Sequence, residues 1–90
     1  DSMEPWFQEG DIVIVDPGRK PRPRDYVVAR SNLECLNEVT IKQYFPTGYD
    51  SHGRELFELR ALNSAYPTME CEKLQLEIIG VVVELNKRFF

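Results

Sequence analysis

The residue with the clearest chemical potential in this sequence is Lys42, which stands inside the alternating segment Val39-Thr40-Ile41-Lys42-Gln43-Tyr44. A lysine in the middle of a strand usually points into water or protects a sheet edge. Burial, in contrast, lowers the pKa of a lysine, and a neutral amine can act as a base toward a serine hydroxyl. Periodicity alone leaves both interpretations of Lys42 open.

Four serines could supply the nucleophilic hydroxyl: Ser2, Ser31, Ser51 and Ser64. The last three lie in segments of turn-like composition, which we predict to be loops. Ser2 precedes Met3-Glu4-Pro5, at the entry to a short turn, where a serine commonly caps the backbone. The spacing does not choose among these serines.

Few other reactive groups are present. His52 is the one histidine, and its turn-like surroundings predict a solvated loop side chain, so a Ser-His-Asp triad is not supported. Cys35 and Cys71 lack CxxC spacing, and we expect reduced, partly buried thiols rather than a disulfide or a zinc site. No P-loop, HExxH or glycine-rich phosphate loop occurs, and we predict neither a metal nor a cofactor.

Short apolar runs separated by turn residues must position these side chains, and they indicate a mostly β domain with little helix. The predicted strands are Asp11–Asp16, Asp25–Arg30, Glu38–Phe45, Glu55–Leu62 and Leu74–Leu85. The third and fourth form a predicted long hairpin around a turn at residues 46–54. The alternation of the last strand changes phase near Gly80, which predicts a bulge or a sharp bend.

Within the third strand, alternation places Thr40, Lys42 and Tyr44 on one face. Val39, Ile41, Gln43 and Phe45 fall on the other. Helix signals are weak, and the one short helical turn that we predict covers residues 4–8.

Length and composition bound the function classes. Ninety residues with 42% hydrophobic and 29% charged side chains fit one globular domain, residues 1–90. Eleven basic against fifteen acidic residues give a net charge of −4, which disfavours non-specific DNA binding. No apolar run approaches the ~20 residues of a membrane span, and no signal peptide is visible, so we expect a cytoplasmic protein.

One segment has the opposite charge. Arg19–Arg24 carries four basic side chains interleaved with two prolines. It is either a solvated proline-rich loop or a contact surface for DNA or an acidic partner.

Several blocks of the chain, taken in order, resemble the C-terminal domain of LexA-like and lambda-type phage repressors, which is related to UmuD. The blocks are Asp1–Pro5, Glu9–Asp16, Asp25–Arg30, Val39–Tyr44, Asn63–Pro67 and Ile78–Val83. The resemblance implies a compact, bent antiparallel sheet or partly open β-barrel of the signal-peptidase-like type. It also implies a Ser–Lys dyad, with Ser2 as nucleophile, Lys42 as general base and backbone N–H groups around Ser2 and Met3 stabilising the oxyanion.

In this family the domain hydrolyses a peptide bond in the linker of its own chain during the SOS response to DNA damage. The resemblance therefore implies a homodimer and a recombinase filament on single-stranded DNA as co-protease. It implies contact with operator DNA only through a separate N-terminal domain, and no membrane. We expect that domain, the linker and the family's opening strand to lie outside these 90 residues. One departure is Pro23-Arg24-Asp25, where relatives often have Pro-Gly-Asp, so arginine replaces a turn glycine.

Three alternatives are weighed beside this interpretation. The domain could dimerise without cleaving, or it could resemble the UmuD-like polymerase accessory proteins. A signal-peptidase-like enzyme shares the Ser-Met entry and the lysine base, but it would need a membrane anchor, and the sequence shows none.

Overall fold

The computed structural model describes residues 10–32, 39–61, 68–70 and 75–86. The strands are β1 (Ile12–Asp16), β2 (Tyr26–Ser31), β3 (Val39–Tyr49), β4 (Glu55–Arg60), β5 (Met69–Glu70) and β6 (Leu76–Asn86). They form one antiparallel sheet in the order β1-β6-β2-β3-β4-β5. None of the described residues lies in a helix, which confirms the mostly β prediction. The turn predicted at residues 4–8 lies outside the described part of the chain.

The β3–β4 hairpin is confirmed, but its strands reach further than predicted. β3 continues to Tyr49 instead of ending at Phe45, because Pro46 still faces Phe57 and a register shift lets the ladder pass Gly48. The turn is consequently limited to residues 50–54. There the Asp50 carboxylate accepts hydrogen bonds from the backbone N–H groups of His52 and Arg54, at 2.8 and 2.9 Å. β5, a two-residue strand, was not predicted.

The predicted phase change near Gly80 is confirmed as a register shift, and β6 contains a second shift that was not predicted. Val28 faces Gly80 whereas Ala29 faces Ile78, so Ile79 is the extra residue at the first shift. The second shift lies opposite Ile14 and Val15 and leaves out Val83. Ile79 and Val83 are consequently exposed, whereas Val81 between them is buried.

The end of β1 lies close to Gly80 of β6. A Cβ at this position would lie 2.9 Å from the carbonyl oxygen of Asp16 and 3.0 Å from Cα of Pro17. It would also collide with a methyl group of Val15. Only a residue without a side chain fits this approach.

The core lies on one face of the central strands. Its buried members are Val27, Ala29, Tyr44, Leu59 and Val81, with Phe57, Leu76 and Ile78 packed against them. On β3, this is the face of Thr40, Lys42 and Tyr44, whereas Val39 is 60% exposed on the opposite face. The more polar face of β3 is therefore the more deeply buried one.

Candidate functional site

Lys42 occupies the middle of β3, a strand enclosed between β2 and β4. Its backbone faces Val27, a core residue with no exposed surface. The lysine itself is only 7% exposed. The sheet thus buries this side chain, and the solvated interpretation of Lys42 is wrong for the described structure.

The Nζ atom of Lys42 donates a hydrogen bond to the hydroxyl oxygen of Thr40 at 2.6 Å. The two residues are two positions apart on one strand, so their side chains project from the same face. Burial removes water from the ammonium group and lowers the pKa of Lys42 below the ordinary lysine value. This is the direction that a lysine base requires, because only the neutral amine can accept a proton.

The next residue on this face, Tyr44, joins the site to the start of β4. Its ring lies against Phe57, with 5.4 Å between the ring centroids. Its hydroxyl donates a short hydrogen bond to the carboxylate of Glu55. Glu55 in turn lies 3.8 Å from Nζ of Lys20, which belongs to the loop between β1 and β2. Tyr44 therefore links the core face of β3 to that loop.

The same loop is also tied to the backbone of β3. The N–H of Arg24 donates to the carbonyl of Tyr44, and the N–H of Tyr44 donates to the carbonyl of Asp25, both at 2.8 Å. The side chain of Gln43 donates to the carbonyl of Arg24 at 3.0 Å. Arg24 adopts φ 73, so the arginine is held in the left-handed conformation that favours glycine.

The structure separates the candidate serines. Ser31 is the last residue of β2 and is buried, so its predicted position in a loop is wrong. Ser51 lies in the exposed turn beside His52, whose predicted exposure is confirmed. Ser2 and Met3 lie outside the described residues, as do Ser64, Cys35 and Cys71. The pairing of Ser2 with Lys42 therefore stays a prediction.

Thr40 and Glu55 contribute to this site although neither carried a predicted role. Thr40 could have been found from its spacing, because a hydroxyl two residues before a strand lysine shares its face. Glu55 could not, since its contact with Tyr44 depends on the register of the hairpin. Within the described ranges, no group of three or more histidine, cysteine or acidic side chains could hold a metal ion. No helix there is long and apolar enough to cross a membrane.

Comparisons of the whole sequence with a family model and with individual known proteins agree with one another. The family model described as Peptidase S24-like matches residues 1–83. An uncharacterized HTH-type transcriptional regulator of Coxiella burnetii is 33% identical over 90 residues, which cover 98% of this chain and 38% of that protein. Repressor protein C2 of Salmonella phage P22 is 41% identical over 76 residues, covering 84% of this chain and 31% of the repressor. The chain thus spans less than two fifths of each relative.

Proposed function

Because the chain belongs to the Peptidase S24-like family, we propose that it is the self-cleaving and dimerising domain of a bacterial or prophage transcriptional repressor. The names of the two relatives, a transcriptional regulator and a phage repressor, support the regulatory part of this proposal. The observation that carries the peptidase part is the buried Lys42, whose pKa is lowered by desolvation.

The proposed reaction is hydrolysis of a peptide bond in the protein's own linker. Neutral Lys42 takes the hydroxyl proton of Ser2 as its oxygen attacks the carbonyl carbon. Backbone N–H groups around Ser2 and Met3 stabilise the resulting oxyanion. The C–N bond then breaks, and the lysine returns the proton to the leaving amine. Neutral Lys42 then deprotonates a water molecule, which attacks the acyl group and releases it from Ser2.

Thr40 has a positioning role in this scheme. Its hydroxyl oxygen accepts an N–H of Lys42, which limits the rotation of the flexible lysine side chain. One N–H of the amine is thereby directed at Thr40. A base held in one orientation loses less conformational entropy when the reaction begins.

The partners of the domain follow from the same role. We assign it a homodimeric state, and large apolar side chains that remain exposed on the described surface support a second copy as partner. Among them are Ile12, Ile14, Val39, Ile79 and Val83. A recombinase filament on single-stranded DNA would promote cleavage after DNA damage, and operator DNA would be bound through a separate N-terminal domain. The role implies a cytoplasmic location.

The test is self-cleavage of a longer chain that includes the linker upstream of Ser2. Incubation at alkaline pH is expected to yield two fragments on a denaturing gel. Ser2→Ala and Lys42→Ala should abolish this cleavage while sedimentation still shows a dimer. Ser31→Ala and Ser51→Ala are the matched controls, and both should cleave at the normal rate.

Two outcomes would contradict the proposal. Normal cleavage by the Ser2→Ala protein would remove the assigned nucleophile, and loss of cleavage in Ser31→Ala alone would transfer that role to the buried serine of β2. If no variant or wild-type protein cleaves but the dimer persists, the domain is the non-cleaving dimerisation module.

A further inference from the structure

The loop between β1 and β2 forms one wall of an open groove of about 620 Å³, at the end of the sheet where β4 begins. We call it the basic groove. It is lined by Arg19, Lys20, Pro21, Arg22, Pro23 and Glu55. Three cations and one carboxylate leave an excess of two positive charges, on a chain whose net charge is −4. The charge of the lining therefore has the opposite sign to the net charge of the chain.

The cations of the basic groove are available to a ligand. Arg19 and Asp16 are 3.7 Å apart, and Lys20 and Glu55 are 3.8 Å apart, distances that are longer than charge-assisted hydrogen bonds. Lys20 is 84% exposed, so water screens its pair strongly. The guanidinium group of Arg22 forms no ion pair with any carboxylate of the described residues.

The loop backbone is fixed before any ligand arrives. The N–H of Gly18 donates to the Asp16 carboxylate at 2.9 Å. The N–H of Arg22 donates to the Asp25 carboxylate at 2.9 Å, and the N–H of Asp25 returns a bond to the carbonyl of Arg22 at 3.0 Å. Prolines restrict the intervening residues. A preorganised wall lowers the entropy that binding must overcome.

From these features we infer that the basic groove binds an acidic peptide segment of a protein partner. Two carboxylates would balance its excess charge, and guanidinium groups pair with carboxylates through two parallel hydrogen bonds. Nucleic acid fits less well, because an excess of two charges suits a short acidic segment, whereas a strand with one phosphate per nucleotide would extend beyond the groove over a chain whose net charge is −4. The inference uses neither Lys42 nor self-cleavage, so it stands or fails separately from the proposed function.

The test measures binding of a fluorescein-labelled peptide of alternating aspartate and glutamate to the 90-residue chain, by fluorescence anisotropy. A peptide with asparagine and glutamine in their place and a single-stranded oligonucleotide of equal charge are measured in parallel. The acidic peptide should bind most tightly, and its affinity should fall with added salt. The double variant Arg19→Gln, Arg22→Gln should weaken its binding by roughly 5- to 30-fold.

The matched control is the double variant Arg30→Gln, Arg60→Gln, which removes the same charge from β2 and β4. Its affinity should stay within about twofold of the original. Thermal unfolding of both variants establishes that they fold. The inference is overturned if no peptide binds, if the amide peptide binds equally well, if the oligonucleotide binds more tightly, or if the control variant loses as much affinity.

Discussion

The hydroxyl oxygen of Thr40 lies 2.6 Å from Nζ of Lys42, and both side chains project from the core face of β3. This contact fixes a long, flexible amine on a rigid element. In the proposed reaction, the lysine is thus positioned by its own strand, with the hydroxyl two residues away as its support. A strand that presents a base in this manner needs no histidine, which agrees with the single, exposed His52.

Replacing Thr40 with valine should slow self-cleavage by roughly 10- to 100-fold, because the amine loses its orientation. The hydrogen bond also stabilises the protonated lysine, so its loss should lower the pKa of Lys42 further and move the pH–rate profile toward acid. Single-turnover cleavage of the longer chain across a pH series measures both effects.

Thr40→Ser is the matched variant for this prediction, since it keeps the hydroxyl. It should retain most of the rate and the original profile. A slow serine variant with an unshifted profile would indicate that Thr40 contributes packing alone.

The rate of self-cleavage should rise with pH, because deprotonation of Lys42 creates the base. Desolvation lowers the pKa of Lys42, so the rise should centre below the ordinary lysine value. The measurement is the logarithm of the cleavage rate against pH. Lys20→Met, which removes an exposed lysine, should leave this curve unchanged, whereas a curve centred at the ordinary lysine value would contradict the desolvated base.

Lys42→Met should stabilise the domain at neutral pH by about 1 kcal/mol, because it removes a charge that burial desolvates. The folded chain binds the Lys42 proton more weakly than the unfolded chain does. Between the lowered pKa and the ordinary lysine value, the unfolded chain therefore holds more protons, and wild-type stability rises with pH. Urea unfolding at several pH values should show this rise in the wild type and its absence in the variant.

Arg24→Gly should stabilise the domain by ~0.5 kcal/mol, because glycine relieves the left-handed conformation at the cost of some backbone entropy. Arg22→Gly is the matched control. Its backbone has no such strain, so it should destabilise by about 0.4–1 kcal/mol. Urea unfolding of both variants gives the comparison, and equal destabilisation would show that the turn at Arg24 is not strained.

Alternation along β3 was sufficient to group Thr40, Lys42 and Tyr44 on one face, and the mostly β architecture followed from the turn spacing. Alternation does not say which face is buried. The face with Val39 and Ile41 has the apolar character of a core, yet the opposite face, through Tyr44, packs with Val27, Leu59 and Val81 in the core. That choice depends on tertiary contacts, and the alternation of side chains along one strand carries no information about them.

The strand ends show a similar limit. Pro46 and Gly48 have the composition of a turn, but the pairing of β3 with β4 continues past them through a register shift. In β6, by contrast, the slip was visible in the sequence, because an extra residue reverses the alternation. Contacts across the hairpin, such as Tyr44 with Glu55, required the register itself.

Gly80 lies against the start of the loop that contains the arginines. The backbone of Asp16 and Pro17, where that loop leaves the sheet, packs closely on this glycine. A single methyl group there would have to lift them by several tenths of an ångström. The guanidinium groups further along the loop would then move with the backbone. A substitution at Gly80, which carries no charge, would therefore change the affinity of the basic groove for its partner.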